Sequence, residues 1–154
     1  AVDLAWRRDF LGYSFWVAEG RRIRRRVAGK ALGAMKQRVR EITNRNGGRS
    51  LTAVAAELKA YLTGWREYFQ QAETPGAFRD LDGWVRHRLR CLQLKQWKRG
   101  KTVYREMRAR GASSDTAARV AANARRWWRN SAMLLNSALP NRFFDELGVP
   151  RLAP

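Results

Sequence analysis

Leu32, Met35, Val39 and Ile42 recur three or four residues apart between Lys30 and Asn46, and Gly47-Gly48 ends the run. That spacing predicts an α-helix with one apolar face. Leu51, Val54, Leu58, Leu62, Trp65 and Phe69 mark a second helix, with Ser50 placed to cap its first turn. Thr74-Pro75 opens a third, since proline suits a first helical position whose amide has no intrahelical partner. This helix continues to about Trp97. At 100° per residue, Phe78, Leu81, Val85, Leu89 and Leu92 gather on one side of it, flanked by Trp84 and Cys91. Arg79, Arg86, Arg90 and Trp97 form a narrow arc opposite, read as a solvated stripe or a contact surface. Arg88 and Lys95 fall a heptad apart on the broad apolar side, so each needs a partner or a path to the edge.

Shorter elements follow: Thr102–Arg110, a Ser113-capped helix to about Ala124, and helices over Ala132–Leu139 and Pro140–Leu147. Between them lies the cluster Arg125-Arg126-Trp127-Trp128-Arg129. At the other end, Phe10 to Val17 is aromatic and β-prone, and Glu19-Gly20 is a turn candidate, which predicts a β-hairpin. The chain is therefore expected to be mainly α with a short N-terminal β-hairpin.

Charge changes this picture more than composition does. The 154 residues carry 32 Lys+Arg against 13 Asp+Glu, a net +19, and 26 of the cations are arginine. Residues 21–49 hold +10 and residues 75–110 hold +8, while the apolar stretch 50–74 between them holds −1. A neutral helix between two basic ones is a natural buried partner for both, and folding would bring the basic blocks onto one face. Arginine grips phosphate with paired hydrogen bonds and stacks on bases, so its excess points to a nucleic acid partner.

Little else in the sequence carries chemistry. Cys91 and His87 are the only cysteine and histidine, which excludes a disulfide framework and an all-Cys/His zinc site within these residues. No run approaches the ~20 apolar residues of a membrane-spanning helix. Asp80 and Asp82 point to different helix faces, and Asp82 is placed to pair with Arg86 four residues on. There is no phosphate-binding GxxxxGK[ST] loop, no GxGxxG and no Tyr-x-Asp-Asp segment, so neither catalytic residues nor a metal or cofactor are expected of this chain alone.

Several motifs, in order, resemble one family. Phe10-Leu11-Gly12-Tyr13-Ser14-Phe15 is similar to the strand pair closing the palm of group II intron reverse transcriptases. Lys36 to Asn46, followed by Gly48-Arg49-Ser50-Leu51, resembles the start of their maturase-specific, or X, domain. Gly64-Trp65-Arg66-Glu67-Tyr68-Phe69 resembles its GW-x-x-YF signature. Leu81 to Arg90 with Lys95 to Arg99 resembles its basic helix, and Arg126 to Gly148 the C-terminal region of the bacterial proteins. The tail departs from the family pattern at Arg126-Trp127, where relatives commonly carry Lys-Gly.

The resemblance implies residues 1–28 as an end-of-palm hairpin and basic linker, and 29–99 as a thumb-like three-helix maturase-specific domain. Residues 100–154 would then be a small helical region of DNA-binding type. It implies a maturase that binds intron RNA and promotes its folding and splicing. With the basic blocks, it singles out Arg38, Arg45, Arg49, Arg79, Arg86, Arg88, Arg90, Lys95, Lys98, Arg99 and Lys101 as RNA contacts. Arg125, Arg126, Trp128 and Arg129 are the candidate DNA contacts. Template–primer duplex and target DNA are further implied partners, and the implied location is the bacterial cytoplasm. Two alternatives accompany this reading: the thumb end of a reverse transcriptase gripping template–primer, and a degenerate remnant with non-specific affinity. Trp65 is expected in the core, and replacing Arg86 and Arg90 is expected to weaken RNA binding while leaving helicity intact.

Overall fold

The computed structural model describes residues 9–132 and 134–154. Residues 1–8 of the expected end-of-palm segment lie outside the described residues.

Three antiparallel strands come first, in the order β1 (Asp9–Phe10), β2 (Tyr13–Val17) and β3 (Ile23–Val27). Leu11 and Gly12, at φ 50° and 81°, make the two-residue link from β1 to β2. Positive φ at both positions is what a type I′ hairpin turn demands. Glycine is required at position 12 for a second reason: a Cβ there would sit 3.0 Å from Phe69 Cζ. The Glu19-Gly20 turn falls where expected, within a short 3-10 turn over Glu19–Arg21. The strand after it, Ile-Arg-Arg-Arg-Val, is a finding, because these residues read as basic linker. It pairs with β2 from Val17↔Ile23 to Tyr13↔Val27. Its outer edge is closed from far along the chain: Arg25 N donates to Glu73 Oε2 at 3.0 Å, and Glu73 N to Arg25 O at 2.8 Å.

Seven α-helices follow among the described residues: α1 (Gly29–Ile42), α2 (Leu51–Tyr68), α3 (Pro75–Trp97), α4 (Gly100–Ala109), α5 (Ser114–Ala122), α6 (Trp127–Ala132) and α7 (Asn141–Glu146). Ser50 Oγ accepts from Ala53 N at 3.2 Å and Ser113 Oγ from Thr116 N at 3.1 Å, so both expected N-caps form. α1 stops at Ile42 rather than Asn46, because the Asn44 side chain bonds Asn46 N at 3.0 Å and turns the backbone. The tryptophan cluster forms helix α6, whereas the expected helix 132–139 gives a 3-10 turn over Leu134–Ser137. The fold is thus mainly α with a small N-terminal sheet.

α2 packs on both α1 and α3, as its neutral, apolar sequence anticipates. One apolar cluster then runs without a break from Val27 to Leu152, through Met35, Leu58, Leu89, Met107, Leu135 and Phe144. The GW-x-x-YF residues join sheet to bundle. The Trp65 ring lies 4.6 Å from Phe69 and 5.8 Å from Phe78, and Phe69 lies 5.2 Å from Tyr13. Tyr13 Oη donates to Tyr68 O at 2.7 Å, and Tyr68 Oη to Leu11 O at 2.9 Å. Trp65→Ala should therefore cost about 3–5 kcal/mol, seen as a lower urea midpoint at unchanged slope; a variant that melts like the parent would remove Trp65 from the core.

Candidate nucleic-acid interface

α3 positions most of the residues singled out from sequence, and its surroundings sort them into two kinds. Arg86 is 1% exposed and Arg90 is 4% exposed. Arg86 Nη2 donates to Asp145 Oδ1 at 2.5 Å and to Val149 O at 3.2 Å, and Nε also reaches Asp145 Oδ1 at 3.2 Å. Arg90 Nε donates to Leu139 O at 2.8 Å and Nη2 to Asn141 Oδ1 at 2.6 Å. The expectation that these two arginines form a solvent-facing RNA contact is therefore corrected. α7 and the C-terminal segment cover that side of α3, and the guanidiniums bond inward. Burial, helped by the neighbouring Arg86 charge, pushes the Arg90 guanidinium down to about 10, which leaves it cationic at neutral pH.

Asp82 completes the buried network. It lies 3.7 Å from Arg86, as the four-residue spacing anticipates, but its carboxylate mainly accepts from Leu152 N at 2.8 Å and Ala153 N at 3.0 Å. Burial pushes the Asp145 carboxyl up, yet hydrogen bonds from Arg151 and Arg86 outweigh it and hold the group below the usual carboxylate range. His87 is another interior contact of α3. Its ring stacks on Trp128 at 3.7 Å and Nε2 donates to Trp128 O at 2.8 Å. Burial lowers its affinity for a proton, with Arg90 and Arg88 acting in the same sense.

The exposed cations gather at the other end of α3. Arg45, Arg49, Lys95 and Lys98 line a cleft of about 380 Å³ where the α1–α2 loop meets α3. Lys98 also lines the next cleft, about 550 Å³, with Arg99, Arg125 and Arg126. Arg126 and Asn123 in turn line a third, about 410 Å³, with Arg119 and Arg129. Shared residues therefore join three basic clefts into one groove. The groove carries five of the eleven expected RNA contacts, Arg45, Arg49, Lys95, Lys98 and Arg99, and three of the four candidate DNA contacts on one surface.

Lys98 sits at its centre in an unusual backbone state. Its φ of 59° and ψ of −63°, with Arg99 N donating to Trp97 O at 2.7 Å, describe a γ-turn of the strained hand. Packing just after the turn is close: a Cβ on Gly100 would lie 3.0 Å from Ala121 O, so α4 starts with its backbone directly against α5.

The remaining expected contacts are dispersed. Arg38 is ion-paired with Glu41 at 3.2 Å and Glu57 at 3.0 Å, and Arg49 also reaches Glu57 at 2.5 Å. Arg79 and Lys101 are exposed near the starts of α3 and α4. Trp128 is 50% exposed over His87. Sequence reasoning missed Arg119, whose helix carries no basic run. It also passed over Arg21, Arg22, Arg24, Arg25 and Arg26, all exposed on or beside β3, although the first basic block contains them. No group of three or more His, Cys, Asp or Glu is placed to hold a metal among the described residues, and no helix there is long and apolar enough to cross a membrane.

A mainly helical domain with this basic groove matches a known family. The family described as group II intron, maturase-specific domain matches residues 32–111, which is more than half of the chain. The chain belongs to that family, and its role is that of a maturase in group II intron splicing, with intron RNA as the implied partner. The matched domain is maturase-specific and is not a polymerase catalytic domain. No curated protein matches the chain.

Two outcomes follow from the buried network. Arg86→Ala leaves Asp145 with Arg151 alone and Asp82 with the Leu152 and Ala153 amides, and the lost charged hydrogen bonds should cost about 1.5–3 kcal/mol in urea melts; a change near zero would return Arg86 to the surface. Because the folded Asp145 carboxyl titrates below its unfolded value, its stabilisation is full above the ordinary carboxylate range at about pH 4, and is lost as pH falls from there through the depressed folded value. Thermal melts across that range should show a shallower acid decline in Asp145→Asn than in the parent.

Proposed function

We propose that this chain binds group II intron RNA along the basic groove and promotes the RNA's folding and splicing. The observation that carries the reading is the continuity of the three clefts through Lys98 and Arg126. Structured RNA offers phosphates and 2′-hydroxyls across a wide, shallow minor groove, where shape and charge count for more than base edges. A rigid groove lined by arginine forks suits that target. In splicing of this class the RNA is itself the catalyst, so the protein needs no reacting groups. It has only to bind the folded RNA more tightly than the unfolded one. Moving an RNA from 1% to 99% folded takes a preference of about 10⁴-fold.

The groove runs through Arg125, Arg126 and Arg129 as well as Arg45, Arg49 and Lys95. A single nucleic acid surface therefore accounts for both sets without a separate DNA-reading element. The strained γ-turn at Lys98 fits a site where backbone strain holds a cation between two clefts.

Filter binding of the chain to its intron and to a competitor RNA of equal length tests the reading. The intron should bind more tightly at every salt concentration, and the chain should raise the spliced fraction. Arg99→Gln with Arg126→Gln should weaken binding to both RNAs and lower the salt slope by about 1 per arginine. Lys98→Gly should melt no lower than the parent, since glycine adopts the turn without strain, yet bind RNA less well. Equal affinity for both RNAs with no gain in splicing would sink the proposal.

A further inference from the structure

Arg88 and Lys95 lie on a packing side of α3, yet each is met by a neutral group. Arg88 Nε donates to Thr43 Oγ1 at 2.7 Å, and Lys95 Nζ donates to the Asn46 side-chain oxygen. Two tryptophans gather further cations around them. The Arg40 and Arg88 guanidinium carbons each lie 5.6 Å from the Trp84 ring centre, with Lys36 Nζ at 6.0 Å. Arg45 lies 4.6 Å and Lys95 Nζ 5.6 Å from the Trp127 ring centre. Five cations thus converge on a seam where α1 and the loop after it meet α3 and α6.

Among the described residues, no carboxylate forms an ion pair with them. Seven acidic side chains among the described residues form ion pairs with other arginines, including Glu41 and Glu57 with Arg38 and Arg49. Burial lowers the proton affinity of Arg88, and the charges of Arg45 and Arg40 lower it further. Arg86 shows how the same helix treats a cation that the fold itself uses, with Asp82 and Asp145 both within ion-pair range. At Arg88 the Nε bond fixes the plane of the guanidinium, and neither Nη group has a protein partner among the described residues. Neither is buried without one, so both reach solvent. Arg88 and Lys95 are half-buried and Lys36, Arg40 and Arg45 exposed, so the cluster presents a fixed, outward-facing fork among like charges to an anion from solvent.

We infer that this seam is a phosphate site, in which Arg88, Arg40 and Arg45 grip one phosphodiester of the bound RNA while the Trp84 and Trp127 rings hold the cations in place. The source of the phosphate rests on the RNA reading above. It is favoured because Arg45 and Lys95 also line the first cleft of the groove, which makes the seam its continuation.

The full chain and the variants Arg40→Gln, Arg88→Gln and Arg88→Lys are titrated with intron RNA across a salt series. Arg40 is exposed, so its variant keeps the test free of any folding defect at Arg88. Arg40→Gln and Arg88→Gln should each bind roughly tenfold more weakly, the scale of one charged hydrogen bond, and lose about 1 from the salt slope. Arg88→Lys keeps the charge but not the fork, and should not restore parental affinity. In parallel, the indole N–H signals of Trp84 and Trp127 should shift on addition of inorganic phosphate, and should not in Arg88→Gln. Parental affinity and slope in both glutamine variants, while Arg99→Gln with Arg126→Gln still weakens binding, would overturn the seam and leave the groove standing. If phosphate shifts the indoles but RNA binding ignores Arg40 and Arg88, the ligand is a free phosphate and the RNA assignment falls. If the parent binds no RNA, the groove reading fails on its own. The phosphate titration then decides the seam, unshifted indoles overturning it and shifted ones supporting it with free phosphate as ligand.

Discussion

A helix enclosed by the rest of its own chain has no solvent face on which to keep its charges. From Trp84 to Trp97, where no residue is exposed, α3 comes close to that position. α2 covers one side, α6 a second, and α7 with the C-terminal segment a third. Its sequence nevertheless carries four arginines. Arg86 and Arg90 can exist there only because the chain returns 50 to 60 residues later with carbonyls, an asparagine and a carboxylate to meet them. The last residues are thereby tied to the middle of the molecule: Asp82 receives the amides of Leu152 and Ala153, and Asp145 bridges Arg86 and Arg151. Replacing such a network by apolar groups is often neutral or stabilising, so its presence implies geometry rather than stability alone. Here it holds the C-terminal segment in one place along α3.

The turn from α3 into α4 shapes the groove. α3 ends at Trp97, Lys98 takes the γ-turn, and Gly100 lets α4 start with its backbone against α5. The close contact places Arg99 beside Arg125 and Arg126 although they are far apart in sequence. At the opposite end, GW-x-x-YF fixes the sheet on the bundle through Trp65, Tyr68 and Phe69. A sequence signature of this kind is then a packing device, while the cations that line the groove lie outside it.

The helices were legible because their cause is local. Periodicity, the Ser50 and Ser113 caps and Pro75 at a helix start all act within a few residues. Trp65 was legible in the same way. What could not be read was anything decided by a distant partner. Arg86 and Arg90 look the same on a helical wheel whether they face water or Asp145, and the deciding residue lies 59 positions away from Arg86. β3 was hidden because its three central arginines resemble linker, while its ladder is made with β2 and its edge with Glu73. The groove was half legible. The basic blocks showed that charge was concentrated, and the motifs showed the family, but only the α3–α4 turn shows that Arg99 and Arg126 line the same cleft.

The arginines of this chain therefore divide by what answers them, not by where they fall in sequence. Those facing the C-terminal segment are met by carboxylates and carbonyls and behave as structural ties. The cations facing α1 and α6, Lys95 among them, are met by a threonine, an asparagine and tryptophan rings, none of which carries a charge. Rings and neutral oxygens orient a cation without cancelling it, whereas a carboxylate does both. A net charge of +19 would on its own produce only diffuse attraction for polyanions. Dividing it into neutralised ties and oriented, uncancelled forks turns that attraction into a surface with a definite shape, the property a protein needs to favour one fold of an RNA over another.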